Sequence, residues 1–226
     1  MRLVAPILLL SWWCSMGFGV SAESDAVSEQ PRKSDAGDTV TESMNSFRGM
    51  FSRIFSLKGD FEQDVQCGDA NPSSSFSGTF ELKRKGRYRF NYKKPKGKTI
   101  VSDGERTFVY DRTAHFVSAG SADSLLSLLG GLLIGESIDA FEMVPLVAQD
   151  AGALRVLRFV PRSPDPFVRQ VLLTVSNKLP HIRRIVVVDG GGCIIRTTLS
   201  NVQINTGIKD RRFRFEPPKN AEVVSP

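Results

Sequence analysis

The sequence predicts a mainly-β domain with few helices: an antiparallel sheet that curls on itself, with one helix at its start and a short helical plug. Three observations carry this. From Phe61 onward, apolar side chains recur at every second position in short runs. Those runs are separated by Gly, Pro, Asn and Asp. Only two segments, Ser43 to Leu57 and Ser121 to Ile138, carry helical spacing instead.

The first 22 residues stand apart. Met1-Arg2 precedes an apolar run from Leu3 to Val20, which ends at Val20-Ser21-Ala22 before the chain turns polar. This is the pattern of a secretory signal peptide cut after Ala22. Pro6, Ser11, Ser15 and two glycines interrupt the run and argue against a membrane anchor, and Trp13 before Cys14 argues against lipidation. Residues 23–42 are rich in Ser, Asp and Glu and poor in large apolar side chains, so they read as a disordered acidic leader. The whole chain has 226 residues, 30 Lys plus Arg against 24 Asp plus Glu. Because the leader is acidic, the domain from Ser43 to Pro226 is more basic than the formal +6 of the whole chain.

Phe47, Met50, Phe51, Ile54 and Phe55 share one helical face, with Arg48 and Arg53 off it, so a helix opens the domain. Strands follow around Phe61-Cys67, Phe80-Leu82, Tyr88-Tyr92, Thr99-Ser102 and Arg106-Tyr110, with Asp103-Gly104 marking a tight hairpin. Leu125, Leu126, Leu128, Leu129, Leu132, Leu133 and Ile134 wrap most of the way round a helix and need apolar company on both sides. Further strands are expected at Leu154-Phe159, Val168-Ser176, Ile182-Asp189, Cys193-Val202 and Phe213-Phe215.

The run from Phe80 to Tyr92 contains an anomaly. If Lys85-Gly86-Arg87 is the hairpin connection, Arg84 faces Tyr88, Leu82 faces Phe90 and Phe80 faces Tyr92, all on one face. Arg84 is then a cation among aromatics. Two readings stand: its stem lies on the apolar face with the guanidinium in water, or it donates to backbone carbonyls of the leucine-rich plug and holds an apolar cavity shut. Nine basic residues from Lys83 to Lys98 could suggest a nucleic-acid patch, but export and strand alternation make them a solvated face, so no nucleic-acid partner is expected.

Removing the signal leaves Cys67 and Cys193, an even pair in an oxidising compartment, as a disulfide or as two buried thiols. His115 and His181 lie in turn-like contexts, and no Gly-x-Ser-x-Gly elbow is present. No catalytic residue, metal site or cofactor is assigned.

Several stretches together resemble the LolA family of periplasmic outer-membrane lipoprotein carriers. They are Gly59-Asp60-Phe61-Glu62-Gln63, Gly78-Thr79-Phe80-Glu81-Leu82-Lys83-Arg84, Tyr88-Arg89-Phe90-Asn91-Tyr92 with Pro95, Ile100-Val101-Ser102-Asp103-Gly104, Phe108-Val109-Tyr110-Asp111, Asn201-Val202-Gln203-Ile204-Asn205 and Phe213-Arg214-Phe215-Glu216-Pro217-Pro218. Their order and spacing, more than any one of them, carry the likeness. The resemblance implies an incomplete, half-open antiparallel β-barrel with a short helical lid. It implies a monomeric periplasmic chaperone for triacylated lipoproteins, loaded by an inner-membrane ABC transporter and relieved by an outer-membrane acceptor. Arg84 aligns with the family's lid-closing arginine. The chain departs from the family pattern in Lys85, where Pro is common, and in having no Trp after the signal. Phe61, Val65, Phe80, Leu82, Tyr88, Phe90, Tyr92, Ile100, Phe108 and Tyr110 from strands, with Leu125, Leu128, Leu129 and Leu132 from the lid, are expected to line the acyl-chain cavity. Two alternatives remain open at this point: a carrier of glycolipid or another lipid-linked envelope precursor, and a lipid-sensing regulatory module.

Overall fold

A computed structural model describes residues 45, 47–49, 51–68, 73–121, 125–144, 154–165, 167–176 and 182–224. The expected signal peptide and acidic leader lie outside them. Among the described residues, twelve strands form one open sheet: β1 (Ser56–Gln66), β2 (Ser74–Lys83), β3 (Arg87–Lys94), β4 (Lys98–Asp103), β5 (Arg106–Asp111), β6 (Phe116–Ser121), β7 (Phe141–Val144), β8 (Leu154–Pro161), β9 (Gln170–Ser176), β10 (Ile182–Val188), β11 (Ile194–Ile204) and β12 (Glu222–Val224). Their order is β12-β6-β5-β4-β3-β2-β1-β11-β10-β9-β8-β7. Every pairing is antiparallel except β12 on β6. The sheet is not closed, so the mainly-β, half-open expectation agrees with the fold.

Phe213-Phe215, expected as a strand, is not one. Asp210–Phe213 is a turn of 3-10 helix that packs on β3 and β4, and the edge strand forms later, at β12.

One face of the sheet, here called inner, is covered by two helical segments. Residues 47–49 and 51 belong to an N-terminal helix, which buries Phe47 and Phe51, and the chain then turns so that Ile54 is buried as well. Phe55 does not share this face: the helix ends at Phe51, Ile54 N–H donates to the Phe51 carbonyl, and Phe55 is left 55% exposed. The second segment is the leucine helix, Leu125–Leu133. Side chains from both pack with inner residues of β1–β5 and β7–β11 in one apolar core.

Within that core, β1 and β2 show why glycines recur in the strands. Phe61 opposes Gly78 and Phe80 opposes Gly59. A Cβ on Gly59 would sit 3.1 Å from the Phe80 ring, and one on Gly78 would sit 2.8 Å from the Phe61 ring. Each glycine therefore leaves room for the opposing ring to lie across the strand.

The β2–β3 hairpin corrects the expected register. Lys83 pairs with Arg87, Leu82 with Tyr88, Phe80 with Phe90 and Gly78 with Tyr92, leaving Arg84-Lys85-Gly86 as the connection. Lys85 and Gly86 both take left-handed backbone angles, φ 68° and 64°. This places the bend one residue earlier than expected and slips each pair by two. Because side chains alternate with period two, a slip of two keeps every residue on its face. Arg84, however, moves from the strand face into the turn.

Candidate functional site

The inner face of β1–β5 is an aromatic surface. Phe61 meets Phe90 and Tyr92 edge-on at centroid distances of 5.7 and 5.3 Å, and Phe90 also approaches Phe80 and Tyr88. Val65, Leu82 and Ile100 extend it as buried neighbours. Such edge contacts favour a fixed arrangement of rings over a fluid one. Hydroxyls sit within it as well. The Tyr88 and Thr107 hydroxyls share a buried 2.7 Å hydrogen bond. Burial pushes the Tyr92 phenol up to about 12, because the phenolate would be stranded among rings. Lys98 lies 5.5 Å from the Tyr92 ring, and its own burial lowers its pKa, with Asp111 acting in the opposite sense.

The leucine helix covers this surface. Leu132 is buried, and Leu126 and Leu129 pack partly buried against the core. A Cβ on Gly130 would touch Leu82 at 3.7 Å, so the helix backbone lies close to the β2 surface. The side chains of Leu125 and Leu128 lie outside the described residues.

Two expected lining residues are on the wrong side. Ile100 pairs with Val109 and Val101 with Phe108, so Val109 joins the inner core while Phe108 and Tyr110 face outward. There Phe215 packs on them at 5.4 and 5.8 Å. The run Phe108-Val109-Tyr110 is apolar on both faces, so alternation alone could not say which face was the inner one, and aromatic bulk pointed the wrong way. Val109 was the residue missed.

Arg84 also needs correction. Its Nε and Nη2 donate to the Ile54 and Ser52 carbonyls at 3.0 and 2.6 Å, its backbone N–H donates to Phe55 O at 3.1 Å, and its guanidinium lies 4.5 Å from the Phe55 ring centre. The acceptors are backbone carbonyls, but they belong to the link between the N-terminal helix and β1, not to the leucine-rich plug. Asn205, which sequence reasoning missed, completes that link. Its Oδ1 accepts from Phe55 and Ser56 N–H at 2.7 and 3.2 Å, its Nδ2 donates to Arg53 O at 2.8 Å, and its N–H donates to Ser56 O at 2.9 Å. Together Arg84 and Asn205 engage the carbonyls of all five residues from Ser52 to Ser56. Those carbonyls would otherwise be orphaned where the helix gives way to the strand.

At the far end of β1, Cys67 and Cys193 are bonded, with Cα atoms 4.2 Å apart, just beyond the Gln66–Ile194 pair. Among the described residues no group of three His, Cys, Asp or Glu side chains is placed to hold a metal. A shallow cleft on the outer face, lined by Lys58, Glu81 and Arg212 among others, is charged and has no part in the apolar surface.

A family model described as outer membrane lipoprotein carrier protein LolA matches residues 52–216. An outer-membrane lipoprotein carrier protein of Alkalilimnicola ehrlichii is 34% identical over 179 residues, covering 77% of this chain and 79% of the relative. One from Bordetella avium is 26% identical over 183 residues, covering 80% and 86%. Among solved structures, an uncharacterized conserved protein from Thermus thermophilus shares the fold, with a TM-score of 0.50 at 13% identity over 82% of this chain and 99% of that one. The family match spans the inner sheet, the leucine helix and the Arg84 turn alike, and the chain belongs to the LolA family of outer-membrane lipoprotein carrier proteins.

Proposed function

We propose that this protein is a periplasmic chaperone that binds the acyl chains of lipoproteins and carries them from the inner to the outer membrane. One observation carries the reading: an apolar, aromatic inner face on an open sheet, covered by helices that contribute no strand to it. Each methylene of an acyl chain gains about 0.8 kcal/mol on leaving water for an apolar site. A chain of lipoprotein length therefore needs such a surface to cross an aqueous gap. Release requires that the surface have a competing cover, and Leu126, Leu129 and Leu132 supply one.

In this reading the protein is exported through a signal peptide cleaved after Ala22 and acts as a monomer without catalysis. It receives cargo from an inner-membrane lipoprotein-releasing ABC transporter and yields it to an outer-membrane acceptor. Phe61, Val65, Phe80, Leu82, Tyr88, Phe90, Tyr92, Ile100 and Val109 form the fixed wall, the leucine helix forms the movable one, and Arg84 is the latch of the N-terminal helix.

Mass spectrometry of material that co-purifies with the exported protein, wild type beside Arg84→Leu, tests this. Triacylated lipoprotein is expected on both, with several-fold more on Arg84→Leu because the N-terminal helix, once unlatched, recloses poorly over the inner face. Recovery of glycolipid alone, or of nothing on either protein, would overturn the lipoprotein cargo.

A further inference from the structure

The leucine helix ends in a well-defined cap. Gly135 takes φ 77°, its N–H donates to Leu132 O at 3.2 Å, and Glu136 N–H donates to Gly131 O at 2.7 Å. This is the Schellman pattern, which fixes the direction of the residue after the glycine. Glu136 is that residue. Its carboxylate accepts from the Lys85 N–H at 2.8 and 3.0 Å, and Oε2 lies 3.5 Å from the Gly86 nitrogen.

The receiving end is equally specified. Successive left-handed residues at Lys85 and Gly86 turn both N–H groups to one side, forming a small concave anion site. Gly104 of the neighbouring turn lies against the Lys85 carbonyl so closely that a Cβ there would collide with it, which backs the site with the β4–β5 hairpin. Charge-assisted bonds from a carboxylate to backbone N–H groups are stronger than neutral ones.

We infer that Glu136 is the positioning residue that fastens the leucine helix to the sheet, and that the Arg84-Lys85-Gly86 turn is a shared clasp: its side chain holds one helix and its backbone holds the other. The consequence for cargo rests on the carrier reading, since the leucine helix must leave the aromatic wall before an acyl chain can lie there. The two helices are fastened to the sheet through different atoms of one turn, so either fastening can be removed alone; the Arg48–Asp139 ion pair that joins the two segments is exposed on both sides and is a weak tie.

Hydrogen–deuterium exchange of the full protein tests this. Glu136→Ala is expected to speed exchange of amides in Leu126–Ile134 about 10- to 100-fold, the effect of losing hydrogen bonds to a charged group, while residues 47–56 and β9–β11 stay near wild type. Arg84→Leu is expected to show the reverse pattern between the two helices. Glu136→Gln, which keeps the shape and one acceptor oxygen, is expected to restore most of the protection and provides the decisive variant if alanine loosens the whole domain. Unchanged exchange in the leucine helix for both Glu136 variants would overturn the assignment, as would equal loosening of both helices by Glu136→Gln. Uptake of a fluorescent sixteen-carbon fatty acid separates the two readings: a loosened helix with no gain in uptake leaves the clasp standing and counts against the carrier.

Discussion

The sheet has an aromatic cluster on each face, and the two are covered in different ways. On the outer face, Phe108 and Tyr110 lie under Phe215, part of a C-terminal segment that runs across the strands. That segment is tied down by a row of charged contacts: Arg212 to Glu81 at 3.0 Å, Arg87 to Asp210 at 2.8 Å, Lys83 to both Asp210 and Ile208 O, and Arg89 to Arg212 O at 3.1 Å. On the inner face, Phe61, Phe80, Phe90 and Tyr92 lie under helices fastened to the sheet at the Arg84-Lys85-Gly86 turn and at Asn205, and joined to each other by the exposed Arg48–Asp139 ion pair. Several ties along a cover make it permanent, whereas ties gathered at one end make it a flap. On the carrier reading, similar aromatic surface is thus used once as core and once as a place to be uncovered.

Substitutions at the two covers should separate permanent from removable. The largest effect is expected at Phe213, which is 1% exposed beneath the outer cover. Phe213→Ala should lower the free energy of unfolding by about 3–5 kcal/mol in chemical denaturation, without raising uptake of a fatty-acid probe. A gain in uptake would mean that the outer cover opens too.

The next effect is specific to the inner face. Tyr92 has its pKa raised to about 12 in the folded protein, against an ordinary value near 10 when unfolded. A raised pKa contributes stability in full below pH 10, and that stability is lost as pH climbs through 10 to 12. About 2–3 kcal/mol is expected to disappear over that window, and Tyr92→Phe should remove the corresponding part of the alkaline unfolding curve. A smaller effect is expected at the hinge. Asn205→Ala removes three side-chain hydrogen bonds to residues 53–56 and places a less tolerant residue at φ 55°. It should cost about 1–3 kcal/mol and speed amide exchange around residue 56 more than in the leucine helix.

These features were unequally visible in the sequence. The faces of the strand residues Phe80-Lys83 and Tyr88-Tyr92 followed from alternation, which survives a slip of two, but the pairing and the place of Arg84 did not, because Lys85 in a left-handed turn carries no strong residue signal. Arg84 was legible as a misplaced charge, with its head either in water or on carbonyls of the leucine-rich plug; it does bond carbonyls, but those of Ile54 and Ser52, about thirty residues earlier, which nothing local to Arg84 identified. Gly135 after a leucine run marks a helix end, yet the partners of Glu136 are backbone N–H groups about fifty residues earlier in the chain, and backbone groups leave no mark on composition. Phe108 and Tyr110 were misplaced because a later segment, carrying Phe215, supplies an apolar environment on the face that alternation would assign to water.

The sheet's strand order also bears on how the protein comes to exist. From β1 to β6, and again from β7 to β11, each strand pairs with the one next to it in the chain, and only β1 with β11 joins the two sets. A polypeptide emerging amino end first can therefore assemble each wing from its own hairpins, while the joint must wait until nearly all of the domain has appeared. Long-range pairing of that kind is slow to form. The Cys67–Cys193 bond sits at the end of this long-range seam. Its oxidation is then a late event, recording that the two wings have met in register.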